Sequence, residues 1–164
     1  MKTKTSYITL TALFAALIFI SITILHIPIG VNGGYIHIGD ALIFLVASIL
    51  PRSYAICAAV FGSTLADLTT APIWAPATFV IKILVAVSFS NKNTKILHTR
   101  NIIGMILAFP ITIFGYFLAE YLLFGNIAVA LPSMIGNLIQ CIASCIIYVF
   151  LALSFDRMHF KNRF

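Results

Sequence analysis

The sequence predicts an all-α integral membrane protein of six helices, with both termini on the cytoplasmic side. Three observations predict it. The 164 residues carry a mean hydropathy of +1.11 and only 9% charged residues, more apolar surface than one soluble core of this size encloses. The apolar stretches come in membrane-length pieces punctuated by Pro, Gly and Asn. Lys and Arg recur only at every second break.

A transmembrane helix takes roughly 20 apolar residues, or about 17 when short. That places helices near 5–27, 38–50, 53–71, 75–90, 101–124 and 130–155. The first run, from Ile8 to about Ile27, is too long for a signal-peptide core and lacks a small-residue cleavage site, so it is expected to remain as a helix. Pro28, Gly30, Gly33 and Gly34 break the first connection, Pro51 the second and Pro72 the third. Asn91 to Asn93 break the fourth, and Gly125 and Pro132 the fifth. The second and fourth segments are short and are expected to be tilted or sheltered by neighbours. No loop is long enough for another domain, so residues 1–164 read as one unit.

Lys2 and Lys4 precede the first helix, Arg52 follows the second, Lys92, Lys95 and Arg100 follow the fourth, and Arg157, Lys161 and Arg163 follow the sixth. Nine of the ten basic residues thus fall on one side, which the positive-inside rule makes cytoplasmic. The net charge of +6 is explained by topology and anionic lipid headgroups, and nothing calls for nucleic acid. The tenth, Lys82, lies within the fourth helix.

Alternating directions give each polar residue a depth. His37 and Asp40 open the second helix, Asp67 and Glu120 lie near the outer ends of the third and fifth, and Asn137 and Gln140 lie in the outer part of the sixth. Lys82 is nearer the midplane, one turn past Thr78. An ionised side chain at mid-bilayer costs at least about 2.5–3.5 kcal/mol on insertion scales, so such residues face a bundle interior or water. Tyr116 and Glu120 are four apart and Asn137 and Gln140 three apart, so each pair shares a helix face. With Tyr35 and Trp74 from the loops, these residues are expected to form an outward-facing pocket for a small, polar, ring-shaped ligand. Plainer roles stand beside that one. Asp40 also reads as the N-cap of the second helix, Asp67 and Lys82 as a structural ion pair, and Tyr35 and Trp74 as interfacial aromatics.

Small residues spaced by four, Ala12 with Ala16 and Ala55 with Ala59, make grooves that admit another helix, inside the bundle or from a partner. Cys57, Cys141 and Cys145 lie in apolar segments without metal-ligand or disulfide spacing and read as small hydrophobes, with no metal site expected. No phosphate-loop, HExxH or GxSxG pattern occurs. A subunit that binds, driven by something else, fits better than an enzyme, a standalone secondary transporter or a scaffold.

The segments "GYIHIGDALIFLVASILPRSYAICAAVFGSTLADL", "APIWAPATFVIKILVA", "YFLAEYLL" and "PSMIGNLIQ" together resemble the substrate-binding S component of energy-coupling factor (ECF) vitamin transporters, over about residues 5–155. The resemblance implies a six-helix S-component fold in the cytoplasmic membrane. It also implies a complex with a transmembrane coupling subunit and two cytoplasmic ABC-type ATPases, which use the ATP that this chain does not. The paired alanines match the family's docking motifs, and Asn32, Gly33 and Gly34 fall in the loop that covers the family's site. The family captures its vitamin outside and topples in the membrane to deliver it. "HIGD", "ADL" with "FVIK", and "GNLIQ" are most similar to members proposed to take up hydroxymethylpyrimidine, pyridoxine or related precursors; riboflavin, pantothenate and thiazole are handled by similar folds.

Overall fold

The computed structural model describes residues 4–24, 26–28 and 35–163. Six α-helices run through them: α1 (Lys4–Thr23), α2 (Gly39–Ile49), α3 (Arg52–Thr70), α4 (Ala75–Val87), α5 (Thr99–Phe124) and α6 (Ile127–Arg157). Of these, α1, α5 and α6 are long and apolar enough to cross a membrane, with 20, 26 and 31 residues. At 1.5 Å per residue α2 is only about 16 Å long. It is sheltered instead, since only Leu42 of its residues is not buried.

Polarity is turned inside out relative to a water-soluble bundle. Leu122 is 72% exposed and Phe150 71%, whereas Asp40 and Lys82 are each 2% exposed. Only a hydrocarbon surround makes that arrangement favourable. The apolar interior gathers around α2, where Phe44 stacks on Phe89 at 4.9 Å and meets the edge of Tyr148 at 5.9 Å.

α1 and α3 are the most closely apposed pair. Tyr7 stacks on Tyr54 at 5.3 Å, and further along in the same register Gly62 faces Ala15 and Ile18, so the two helices run parallel. A Cβ added at Gly62 would stand 2.7 Å from the Ala15 carbonyl oxygen. Glycine is therefore what lets the backbones approach.

The chain departs from the expected spans at two places. α1 ends at Thr23, not near residue 27, and His26–Pro28 form a short strand, β1, antiparallel to β2 (Tyr35–His37), with His26 opposite His37 and Pro28 opposite Tyr35. The physical reason is local. Thr23 and Ile27 are β-branched and weak helix formers, and Pro28 disfavours the α conformation at Ile27. At the other place, Pro132 does not break the connection before α6 but lies inside that helix. Gly125, at φ 63°, ends α5 in a left-handed cap, and the Asn126 side chain accepts a hydrogen bond from Ala128 N at 2.9 Å. Those two residues alone make the turn. Smaller shifts extend α5 back to Thr99 and end α4 at Val87, ahead of the expected 90.

Candidate functional site

At the start of α2, Asp40 meets Lys82 of α4 in an ion pair of 2.6 Å. The Lys82 ammonium also lies 5.6 Å from the centre of the Tyr116 ring on α5, a cation–π distance. The Tyr116 hydroxyl is 2.7 Å from Thr78 Oγ1, one turn before Lys82. Gly115 permits this approach of α5 to α4, because a Cβ there would stand 2.8 Å from Ile81 Cγ1. One connected layer thus joins α2, α4 and α5.

α6 closes the layer through Gln140. Its Oε1 accepts from His37 N at 2.8 Å, and its Nε2 donates to His37 O at 2.7 Å and to Ser144 Oγ at 3.3 Å. The amide clasps a single residue's backbone at both ends, fixing the junction of β2 and α2 to α6. His37 Nδ1 in turn accepts from Gly39 N at 3.1 Å, satisfying a free donor at the start of α2.

This geometry revises several sequence expectations. Asp40 is not the N-cap of α2: Ile38 holds that position without a side-chain cap, and Asp40 lies within the first turn, where its charge complements the helix dipole. Lys82 takes Asp40, not Asp67, as its ion-pair partner. Asp67 is buried, at 6% exposure, near enough to Tyr116 to act on it electrostatically. Gln140 spends its amide on the His37 backbone and on Ser144.

Trp74 bridges the rim, its ring 6.5 Å from that of Tyr116 and 6.2 Å from that of Phe124. Glu120 lies between those residues on α5, and its Oε2 is buried without a hydrogen-bond partner. Asn137 is half-buried. Tyr35 belongs to β2, but its side chain, like the predicted loop residues Asn32, Gly33 and Gly34, lies outside the described residues. The alanine pairs separate: Ala12 and Ala16 are exposed on α1, while Ala55 and Ala59 are 1% and 0% exposed. The second pair therefore offers no surface here and serves packing within the bundle.

The sequence reading missed Cys141, Ser144 and Phe124. Cys141, read as an ordinary small hydrophobe, is close enough to Asp40 and Lys82 to interact with both electrostatically. Ser144 sits four residues after Gln140, and Phe124 four after Glu120, so helical spacing from the chosen residues would have found both. A separate groove of about 410 Å³ between α5 and α6, lined by Pro110, Ile113, Phe114, Met134, Ile135 and Leu138, is apolar and shares none of these residues.

A family model described as "ECF-type riboflavin transporter, S component" matches residues 2–157. A Pyrococcus woesei protein described as "Uncharacterized protein in gap 3'region" is 32% identical over 126 residues, 76% of this chain and 84% of that one. A solved chain described as "Structure and mechanism of the S component of a bacterial ECF transporter" superposes with a TM-score of 0.78, covering 95% of this chain and 98% of its own. At 16% identity that likeness speaks for the fold alone. The family match runs over nearly the whole length, and the chain belongs to the ECF-type riboflavin transporter S-component family.

Proposed function

We propose that the chain captures a small water-soluble vitamin or vitamin precursor outside the cell and delivers it inward as the substrate-binding subunit of an ATP-driven ECF assembly. In this reading all six helices lie across the cytoplasmic membrane, α2 and α4 sheltered by the longer ones. The β1–β2 end faces outward, and both termini face the cytoplasm, as the Lys and Arg distribution requires. A coupling subunit docks on the exposed small-residue face of α1 at Ala12 and Ala16. Two ABC-type ATPases supply the energy.

The ligand is a small hydroxylated heteroaromatic ring, with a B6 vitamer or a thiamine-precursor pyrimidine first in line. The observation that carries this is the aromatic rim of Trp74 and Tyr116 set beside the Asp40–Lys82 pair. Two rings give a stacking surface, and Asp67, Glu120, Thr78 and Asn137 supply polar contacts around it. Because Asp40 neutralises Lys82, the layer has little to offer an anion such as pantothenate. Riboflavin is the second reading, favoured by the description of the family model.

The test is native mass spectrometry with heat-shift measurement on the detergent-purified chain, against B6 vitamers, hydroxymethylpyrimidine, thiazoles, riboflavin and pantothenate. One pyridine or pyrimidine ligand at one-to-one stoichiometry is expected. At 100 times its Kd it should stabilise the fold by about 2.7 kcal/mol. Riboflavin as the sole ligand would replace the first reading with the second, and no ligand at all would overturn both.

A further inference from the structure

Three carboxylates are buried near the β1–β2 end: Asp40 at 2% exposure, Asp67 at 6% and Glu120 at 5%. Asp40 is neutralised by Lys82. Glu120 differs, because among the described residues its Oε2 is buried with no hydrogen-bond partner and no ion pair is formed with it. Ser133, which approaches it from α6, already gives its hydroxyl hydrogen to Ala130 O at 2.8 Å. An unpartnered buried polar oxygen is unfavourable, and an ionisable residue within a membrane bundle points by default to a functional site.

The surroundings say what is missing. Tyr116 and Phe124 lie eight residues apart, about 12 Å along the helix, and the Trp74 ring is within 6.5 Å of both. Trp74 therefore stands at the level of Glu120. Aromatic rings at the level of a carboxyl with one oxygen lacking a donor are complementary to a cation or an amino group, and to neither an anion nor a bare hydrocarbon.

We infer that Glu120 is the subsite for an amino or ammonium group of the ligand, with Trp74 covering it. This rests on the capture function proposed above and narrows its substrate class: the favoured ligand is an amine-bearing ring, such as an aminopyrimidine or an aminomethylpyridine, over the hydroxyl analogue of the same ring.

Pyridoxamine and pyridoxine differ at one substituent, ammonium against hydroxyl, and hydroxymethylpyrimidine carries a ring amine. Affinities of the full-length chain and of Glu120→Gln are measured for these three and for riboflavin. The wild type is expected to bind an amine-bearing probe at least tenfold more tightly than pyridoxine, and Glu120→Gln to lose that preference while its unliganded melting temperature holds or rises. Three results would overturn the inference: a preference unchanged in Glu120→Gln, riboflavin as the tightest ligand of the wild type, or an unliganded melting temperature that collapses in Glu120→Gln, which would make the residue structural. A wild-type chain that binds none of these probes would instead defeat the capture function as proposed for this ligand class, and this inference with it.

Discussion

The two ends of α2 carry polar clusters of opposite character. At its last turn, the Ser48 hydroxyl lies 2.8 Å from Tyr148 Oη, and the Ser48 carbonyl accepts from Lys161 Nζ at 2.9 Å. Asn101 accepts from Ser90 N at 2.8 Å and donates to Ser90 O and Ile96 O at 3.1 and 2.9 Å. Asp156 takes Ile96 N and Leu97 N at 2.7 and 3.0 Å. Those side chains are occupied with tying the α4–α5 connection to α2 and α6. At the first turn Asp40, Lys82 and Gln140 are likewise engaged, yet one helical turn beyond Tyr116 on α5, Glu120 retains a buried oxygen without a partner among the described residues. A saturated cluster is architecture; one with spare hydrogen-bonding capacity is where a ligand has something to gain.

The largest expected effect tests how much of the first-turn cluster is also architecture. Lys82→Met leaves Asp40 buried and unpaired and should destabilise the chain by about 3–5 kcal/mol, read from unfolding in detergent. Adding Asp40→Asn should restore most of that. A neutral single variant would mean that the pair does not hold this end together.

Asn101→Leu should be next, at about 1–3 kcal/mol, because it strands the Ser90 and Ile96 backbone groups. Ligand affinity of the folded fraction should not change. A fall in affinity would erase the division between the two ends. Asn137→Ala should do the reverse, altering stability by less than about 0.5 kcal/mol while weakening ligand binding by about 1–3 kcal/mol, as titration calorimetry would show.

The smallest effect is a pH dependence at the last-turn cluster. Burial lowers the Lys161 pKa from 10.5 to about 8, against the opposing pull of Asp156. Between those values the unfolded chain holds a proton that the folded chain has released, so stability should rise with pH from about 8 to 10.5 and be level on either side. Lys161→Met should remove the rise from a series of melting curves, whereas a persisting rise would assign it elsewhere.

Much of this was legible in the sequence. Long apolar runs and their Pro, Gly and Asn breaks locate six helices because hydrocarbon leaves the backbone few alternatives. The strand at His26–Pro28 was hidden because a β-branched apolar run satisfies helix and strand patterns alike. Choosing polar residues by depth brought Asp40, Lys82, Tyr116 and Gln140 to one layer, but depth alone does not say which helices touch. Depth on adjacent helices paired Lys82 with Asp67, whereas the packing of α2 against α4 gives it Asp40. The alanine stripes failed as a unit for a related reason. Spacing identifies a smooth face, whereas only the bundle decides whether that face turns inward, as at Ala59, or outward, as at Ala16.

The Asp40–Lys82 pair also has an electrical consequence. Moving one elementary charge through the membrane potential involves about 2.3 kcal/mol per 100 mV, so a lone lysine or aspartate in a subunit that topples would make each stroke easier in one direction and harder in the other. Two opposite charges held 2.6 Å apart travel as a neutral unit. If the subunit topples as the proposed function requires, this layer would turn without a charge moving through the potential, and a collapsed membrane potential would not by itself oppose it.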